Sequence, residues 1–257
     1  MNVVITGSTM GIGKAMANEF LKHGDNVVIS SRNPDRVDSV VAELQGKYPD
    51  QKIVGTTCDV GNPDDVEALG KYAIDKLSTI DIWINNAGSV PKHKTNFVDL
   101  STEDIQNVIN ANVFGTVWGT REALRIMIKQ GHGHIFNMEG LGSQGRTAPN
   151  NSIYGYSKNN IPYLSKTLQA EVKGTGVGVH DLSPGMVTTD LLLSELEPGQ
   201  EKMINILADT PEEVAEFLVE RAKKVTGSGQ NIMWLTNSKV IWRFMTGFQR
   251  KNRHIPE

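Results

Sequence analysis

The hydrophobic and polar positions of this chain fall into two alternating rhythms. Short apolar runs at residues 2–5, 26–30, 52–57, 80–84, 133–138, 176–182 and 230–235 predict strands. Between them, apolar residues recur at helical spacing. This holds over 14–23, over 35–45 with Val37, Val40, Val41 and Leu44 on one face, and over 151–170 with Ile161, Leu164 and Leu168. Helix starts are marked as well. Asn62-Pro63-Asp64 offers an N-cap followed by proline, Ser101 with Asp104 has the form of a capping box opening one long helix to about Lys129, and Thr210-Pro211 opens another helix. Alternation sustained over the whole length predicts one α/β domain spanning 1–257, a single doubly wound parallel sheet with helices on both faces. No internal repeat, linker or low-complexity stretch interrupts it.

Composition acts mainly by exclusion. With 257 residues, 39% hydrophobic, and 25 glycines, the chain can bury a sizeable core without staples. A formal net charge of −3 gives no electrostatic footing for nucleic acid. Cys58 is the single cysteine, so no internal disulfide forms and a reducing compartment is expected. No apolar run approaches the roughly 18 residues of a membrane span. The opening residues run into a strand and a glycine-rich turn, not a secretory leader. His132 and His134 flank a glycine before a strand, the histidines show no ligand spacing, and no metal is expected.

Two stretches carry chemistry. Thr6-Gly7-Ser8-Thr9-Met10-Gly11-Ile12-Gly13 joins the first strand to the first helix. Glycines there let backbone N–H groups approach a pyrophosphate, and the helix N-terminus adds positive potential. The spacing is G-x-x-x-G-x-G. The second strand ends Ser30-Ser31-Arg32 with no carboxylate to hold a ribose 2′-hydroxyl, and Arg32 suits a 2′-phosphate, so NADPH is the expected cofactor. After the third strand, Asp59, followed by Val60, either accepts from the adenine amino group or caps a turn. The other stretch holds Tyr154 and Lys158, four residues apart on one helix face. A phenol titrates near ~10, and a cation beside it lowers that value, giving a group that can move a proton near neutral pH.

These pieces, with Asn85-Asn86-Ala87-Gly88, Asn112 and Pro184-Gly185-Met186-Val187-Thr188-Thr189 in the same order, resemble the short-chain dehydrogenase/reductase family over nearly the whole chain. The resemblance implies a Rossmann-like fold and an NADP-dependent oxidoreductase. It implies that Tyr154 protonates a substrate carbonyl as hydride arrives, and that Lys158 lowers the tyrosine pKa and binds the nicotinamide ribose. It places Asn112 in a proton relay, holding a water near Lys158. Asn86, Ala87 and Gly88 would line the adenosine and ribose side, and Pro184, Gly185, Val187 and Thr189 would wrap the carboxamide. The family's usual serine is missing: Gly140 stands at its place after Glu139. Ser143, the nearest hydroxyl, is assigned to polarise the carbonyl, although a serine in a glycine-rich loop is often only a turn residue. Glu139 is a second candidate, to orient substrate or hold a proton.

Asn137-Met138-Glu139-Gly140-Leu141-Gly142-Ser143 and the Thr188-Thr189-Asp190-Leu191-Leu192 continuation resemble the chlorophyll b reductase branch. That branch implies reduction of the 7-formyl group of chlorophyll b to hydroxymethyl. It implies a cytoplasmic location in a bacterium, or the plastid stroma or thylakoid surface in a photosynthetic eukaryote. Residues 190–206, with Leu191, Leu192, Leu193, Leu196, Met203 and Ile204, are expected to form an apolar lid, and 236–257 a C-terminal extension. Aromatic and basic residues interleave there, which suits peripheral membrane contact or a neighbouring subunit. A homo-oligomer is expected, paired through the helices at 101–129 and 151–173. A reductase of another aldehyde or ketone, such as a 3-oxoacyl compound, and a non-catalytic NADP(H) sensor remain as alternatives. The retained Tyr154 and Lys158 weigh against the sensor, and the apolar lid against small polar substrates.

Overall fold

The computed structural model describes residues 1–193 and 199–255. Strands and helices alternate as β1 (Asn2–Thr6), α1 (Gly11–Lys22), β2 (Asn26–Ser31), α2 (Pro34–Lys47), β3 (Ile53–Thr57), α3 (Pro63–Leu77) and β4 (Ile82–Asn85). There follow α4 (Thr102–Val108), a π-helical turn (Ile109–Phe114), α5 (Gly115–Gln130), β5 (Gly133–Met138), α6 (Ser152–Glu171) and β6 (Val177–Ser183). The last elements are α7 (Asp190–Leu193), α8 (Glu201–Leu207), α9 (Pro211–Ala222), β7 (Asn231–Met233) and α10 (Asn237–Met245). Among the described residues the strands form one seven-stranded sheet, ordered β3-β2-β1-β4-β5-β6-β7 and parallel throughout. This is the doubly wound arrangement expected from the sequence. Leu196 of the expected lid lies outside the described residues.

Both sheet faces are covered, so strand residues pack alternately to either side. Val3 and Ile5 join Phe20 of α1 and Leu218 of α9, while Val4 joins Leu69 of α3 and Met127 of α5. Asn33, Asn62, Ser101, Thr210 and Thr236 cap α2, α3, α4, α9 and α10 with their side chains. Thr210 and Glu213 form a full capping box. At Ser101 the acid behaves differently: Asp104 accepts from the serine hydroxyl while its amide donates to the same oxygen.

The long helix expected from Ser101 to about Lys129 is present as α4, the π turn and α5, with right-handed helical backbone at both junctions. The wider turn within it has a tertiary cause. Asn112 accepts from Ser89 N at 2.7 Å and donates to Ser89 O at 2.9 Å and to Ser157 Oγ at 2.8 Å. Holding that side chain against two neighbouring segments inserts a wider turn, a form often found at functional sites.

In the C-terminal segment the arginines are tied to the body of the domain: buried Asp209 accepts from Arg243, Arg250 and Trp234 Nε1, and Arg253 pairs with Glu213. The outward face of α10 is apolar, with Ile241, Trp242, Phe244 and Met245 exposed.

Candidate active site

In this strand order the chain reverses direction across the sheet between β1 and β4, where open α/β sheets bind ligands at the carboxyl ends of the strands. A cleft of about 1190 Å3 opens there. Gly7, Met10, Gly11, Ile12 and Gly13 line it from the β1–α1 turn, and Ser31 and Arg32 from the end of β2. Asp59 and Val60 contribute after β3, and Asn86, Ala87 and Gly88 after β4. Tyr154 and Lys158 reach it from α6, and Pro184, Gly185, Val187 and Thr189 from beyond β6. Thr6, Ser8, Asn112 and Ser143 do not line it.

Thr6 and Ser8 instead shape the turn. Thr6 Oγ1 accepts from the amides of Asn86 and Ala87, and Ser8 Oγ donates to Ile5 O and accepts from Ser30 N. Gly7 has φ +64, and a Cβ on it would sit 2.9 Å from Ala87 Cα. Only glycine allows this approach. The helix that follows has neither a side-chain cap nor an acid in its first turn, unlike α2, α3, α4 and α9, which have both. Uncapped amides at a helix N-terminus facing a cleft form an anion site, so the residues present fit a dinucleotide pyrophosphate.

Where β2 ends in the cleft, no carboxylate stands between Ser31 and Pro34. Arg36, which the motif pattern did not single out, lines the cleft with Arg32. Its signal was a second arginine in the first turn of α2. Asp59 Oδ1 accepts from Gly61 N at 3.0 Å, so the turn-capping alternative has its bond.

At the other end Lys158 is 4% exposed, and its Nζ donates to Met138 O at 3.0 Å and lies 6.0 Å from the Tyr154 ring centre. Burial pushes the amine down to about 8, and the Glu139 carboxylate opposes that. Asn112 supports this helix through Ser157, whose hydroxyl donates to Tyr154 O. Asn112 thus fixes the segment carrying the pair by direct bonds, and all three of its side-chain bonds go to protein groups.

Ser143 does not line the cleft beside Tyr154 and Lys158. Its hydroxyl donates to Lys158 O at 3.0 Å and accepts from Gly140 N at 3.1 Å. The reason is Pro162, inside α6, which has no N–H to give the carbonyl four residues before it. Ser143 supplies the donor that the helix lacks. Gly140 stands against the tyrosine, and a Cβ on it would collide with Tyr154 Oη.

Beyond the tyrosine the cleft is lined by Leu191, Leu192, Met203, Ile204, Leu207, Leu235 and Val240. Leu193, also assigned to the lid, does not line the cleft.

The short chain dehydrogenase family model matches residues 1–198. The chain belongs to the short chain dehydrogenase family. Chlorophyll(ide) b reductase NOL of Oryza sativa subsp. japonica, a chloroplast protein, is 44% identical over all of this chain and 78% of its own length. The probable chlorophyll(ide) b reductase NYC1 of the same plant is 42% identical, and this short chain dehydrogenase spans about half of that relative's length, 54%. Among solved structures, a 7α-hydroxysteroid dehydrogenase complexed with NADH and 7-oxo glycochenodeoxycholic acid superposes with TM-score 0.77 and 26% identity, covering 91% of this chain and 95% of that one. An alcohol dehydrogenase from Thermococcus sibiricus, complexed with 5-hydroxy-NADP, matches at TM-score 0.77 and 25% identity, covering 90% and 94%. The family and the branch read from the motifs agree with these relatives. Among the described residues no helix is long and apolar enough to cross a membrane.

Proposed function

We propose that this chain is an NADPH-dependent carbonyl reductase whose substrate is the formyl group of chlorophyll b or a pigment of that class. The observation that carries the reading is the Tyr154–Lys158 pair, which lines one cleft together with the glycine-rich turn and with Leu191, Leu192, Met203, Ile204 and Leu207. When bound, the reduced nicotinamide supplies a hydride. Tyr154 donates the proton that the carbonyl oxygen takes up, so formyl becomes hydroxymethyl with charge balanced. Lys158, buried and donating to Met138 O, stabilises the phenolate left behind. The leucine- and methionine-lined chamber excludes water and favours a large apolar substrate. Arg32 and Arg36 support NADPH over NADH, because two guanidiniums suit a 2′-phosphate.

The same reading extends to partners. Phe114 at the end of the π turn, Ile128 on α5, and Tyr156 and Tyr163 on α6 are exposed, which supports a homo-oligomer paired on those helices. The apolar face of α10 lies beside a groove rimmed by Lys202 and Lys251, which supports contact with an anionic membrane surface. For a plastid protein that surface would be the thylakoid.

The test is an absorbance assay of NADPH or NADH oxidation with chlorophyll b beside a steroid ketone and a 3-oxoacyl compound. Tyr154→Phe should lose at least ~100-fold in turnover, the scale of general acid catalysis, while still binding NADPH by fluorescence. Turnover preserved in that variant, or confined to the small carbonyl compounds, rejects the reading.

A further inference from the structure

Residues 138–140 wrap around Lys158. The Met138 carbonyl takes its ammonium, and a Cβ on Gly140 would stand 3.1 Å from Lys158 Cγ. Between them lies Glu139, a carboxylate that lines the cleft and is nevertheless only 3% exposed. Its Oε1 accepts from Asn231 Nδ2 at 3.0 Å, while its Oε2 is buried with no hydrogen-bond partner among the described residues. A buried carboxylate with one bare oxygen is costly unless a cation stands nearby. Strand alternation points Glu139 to the same side as Asn137, which bonds Ser165 of α6, the helix carrying Lys158.

We propose that Glu139 is a positioning residue for Lys158: its carboxylate is the counter-charge that keeps the buried ammonium protonated beside Tyr154. The inference rests on the reading of Tyr154 and Lys158 as the proton-moving pair. The charged and titratable groups around Lys158 are few. Tyr154 stands on its own helix, its ring centre 6.0 Å from the amine, and Glu139 follows the end of β5, its charge acting on Lys158 without a direct ion pair. Asp181 of β6 acts on Glu139 from behind, and the side chains from the π turn and β7, Asn112 and Asn231, are neutral. Burial alone drives the amine toward its neutral form, and Glu139 is the group that resists. A neutral Lys158 would leave the tyrosinate without its stabilising charge, so Glu139 sets the alkaline limit of the reaction without touching substrate.

The experiment follows the Lys158 side-chain resonance by NMR in the cofactor-free protein from pH 6 to 10, in wild type, Glu139→Gln and Glu139→Asp. The wild-type midpoint is expected near 8. In Glu139→Gln it should fall by about one pH unit, the scale of losing a nearby opposite charge, and Glu139→Asp should recover most of that. The alkaline limb of kcat/KM should move by the same amount in the same direction. A midpoint and limb unmoved in a folded Glu139→Gln protein overturn the inference, since a merely structural role would lower Tm and leave both in place. Should Glu139→Gln not fold, Glu139→Asp decides: its carboxylate, drawn back by one methylene, should still lower the midpoint by a smaller amount, and an unmoved midpoint overturns the inference. Loss of all carbonyl turnover would sink the reductase reading while leaving this titration intact, so the two failures are distinguishable.

Discussion

Ser143 shows how a single residue can carry the right chemistry for one role and be used for another. Its hydroxyl fills the acceptor that Pro162 leaves open at Lys158 O, so it ties the 140–143 loop to the helix turn that holds the lysine. This makes the two residues energetically coupled. Ser143→Ala leaves a buried carbonyl unsatisfied and should cost about 1–3 kcal/mol. In a Pro162→Ala background the new amide can serve that carbonyl, and the same substitution should cost less than half as much. Urea unfolding of the four proteins measures this. Strictly additive losses would mean that the bond carries no weight, and a 100-fold fall in turnover with unchanged stability would return Ser143 to the reacting carbonyl. At this scale the sequence was readable where the chemistry is local. Tyr154 and Lys158 share one helix face whatever surrounds them, and the glycines of the first turn announce themselves by spacing. Ser143 was not readable, because its partner is a main-chain oxygen made available by a proline nineteen residues later.

The elements repeat that lesson at larger size. Strand and helix order was legible because both sheet faces are buried and each crossover needs its own amphipathic helix. The π turn between α4 and α5 was not, since it holds Asn112 against Ser89 and Ser157, and neither partner is near it in sequence. The orientation of α10 was half legible. The interleaved aromatic and basic residues were evident, but the inward pairing of Arg243, Arg250 and Arg253 with Asp209 and Glu213 reverses the usual amphipathic sense. What remains outside is Ile241, Trp242, Phe244 and Met245, next to Lys202 and Lys251. The protein should therefore co-sediment with vesicles containing anionic lipid and much less with neutral ones, and salt should weaken the binding. Replacing Trp242 and Phe244 with serine should reduce the bound fraction several-fold while leaving turnover of a soluble carbonyl compound unchanged. If those replacements instead lower the mass seen by light scattering and vesicle binding is absent from wild type, a second copy of the chain covers this face.

Across the whole molecule, two adjacent residues of β6 set opposing pH dependences for folding. His180 is fully buried against the Phe136 ring. Its Nδ1 accepts from Gln230 N, so the proton resides on Nε2, 3.0 Å from His134 Nδ1. Burial, then the charge of His134, pushes His180 down to about 4. The unfolded chain takes up its proton near 6.5, so this stabilisation is full above 6.5 and is lost as pH falls toward 4, by about 1.4 kcal/mol for each pH unit crossed. Asp181 runs the other way. Burial raises it to about 7, against the hydrogen bond from Ser165, so the folded protein holds a proton that the unfolded chain releases near 3.8. Its contribution is full below 3.8 and is lost as pH rises toward 7. Between those limits the slopes offset, and wild-type stability should change little with pH. Asp181→Asn removes one slope, so stability should rise steeply from pH 4.5 to 6.5 and exceed wild type at pH 8. His180→Gln removes the other, and stability should then fall over the same interval. Urea midpoints at pH 4.5, 6.5 and 8 test both variants, and two unchanged profiles would refute the assignment. The limits then meet the chemistry. The Lys158 ammonium persists below about 8, so in Asp181→Asn, where folding is no longer supported in acid, the working range should narrow to between about 6.5 and 8.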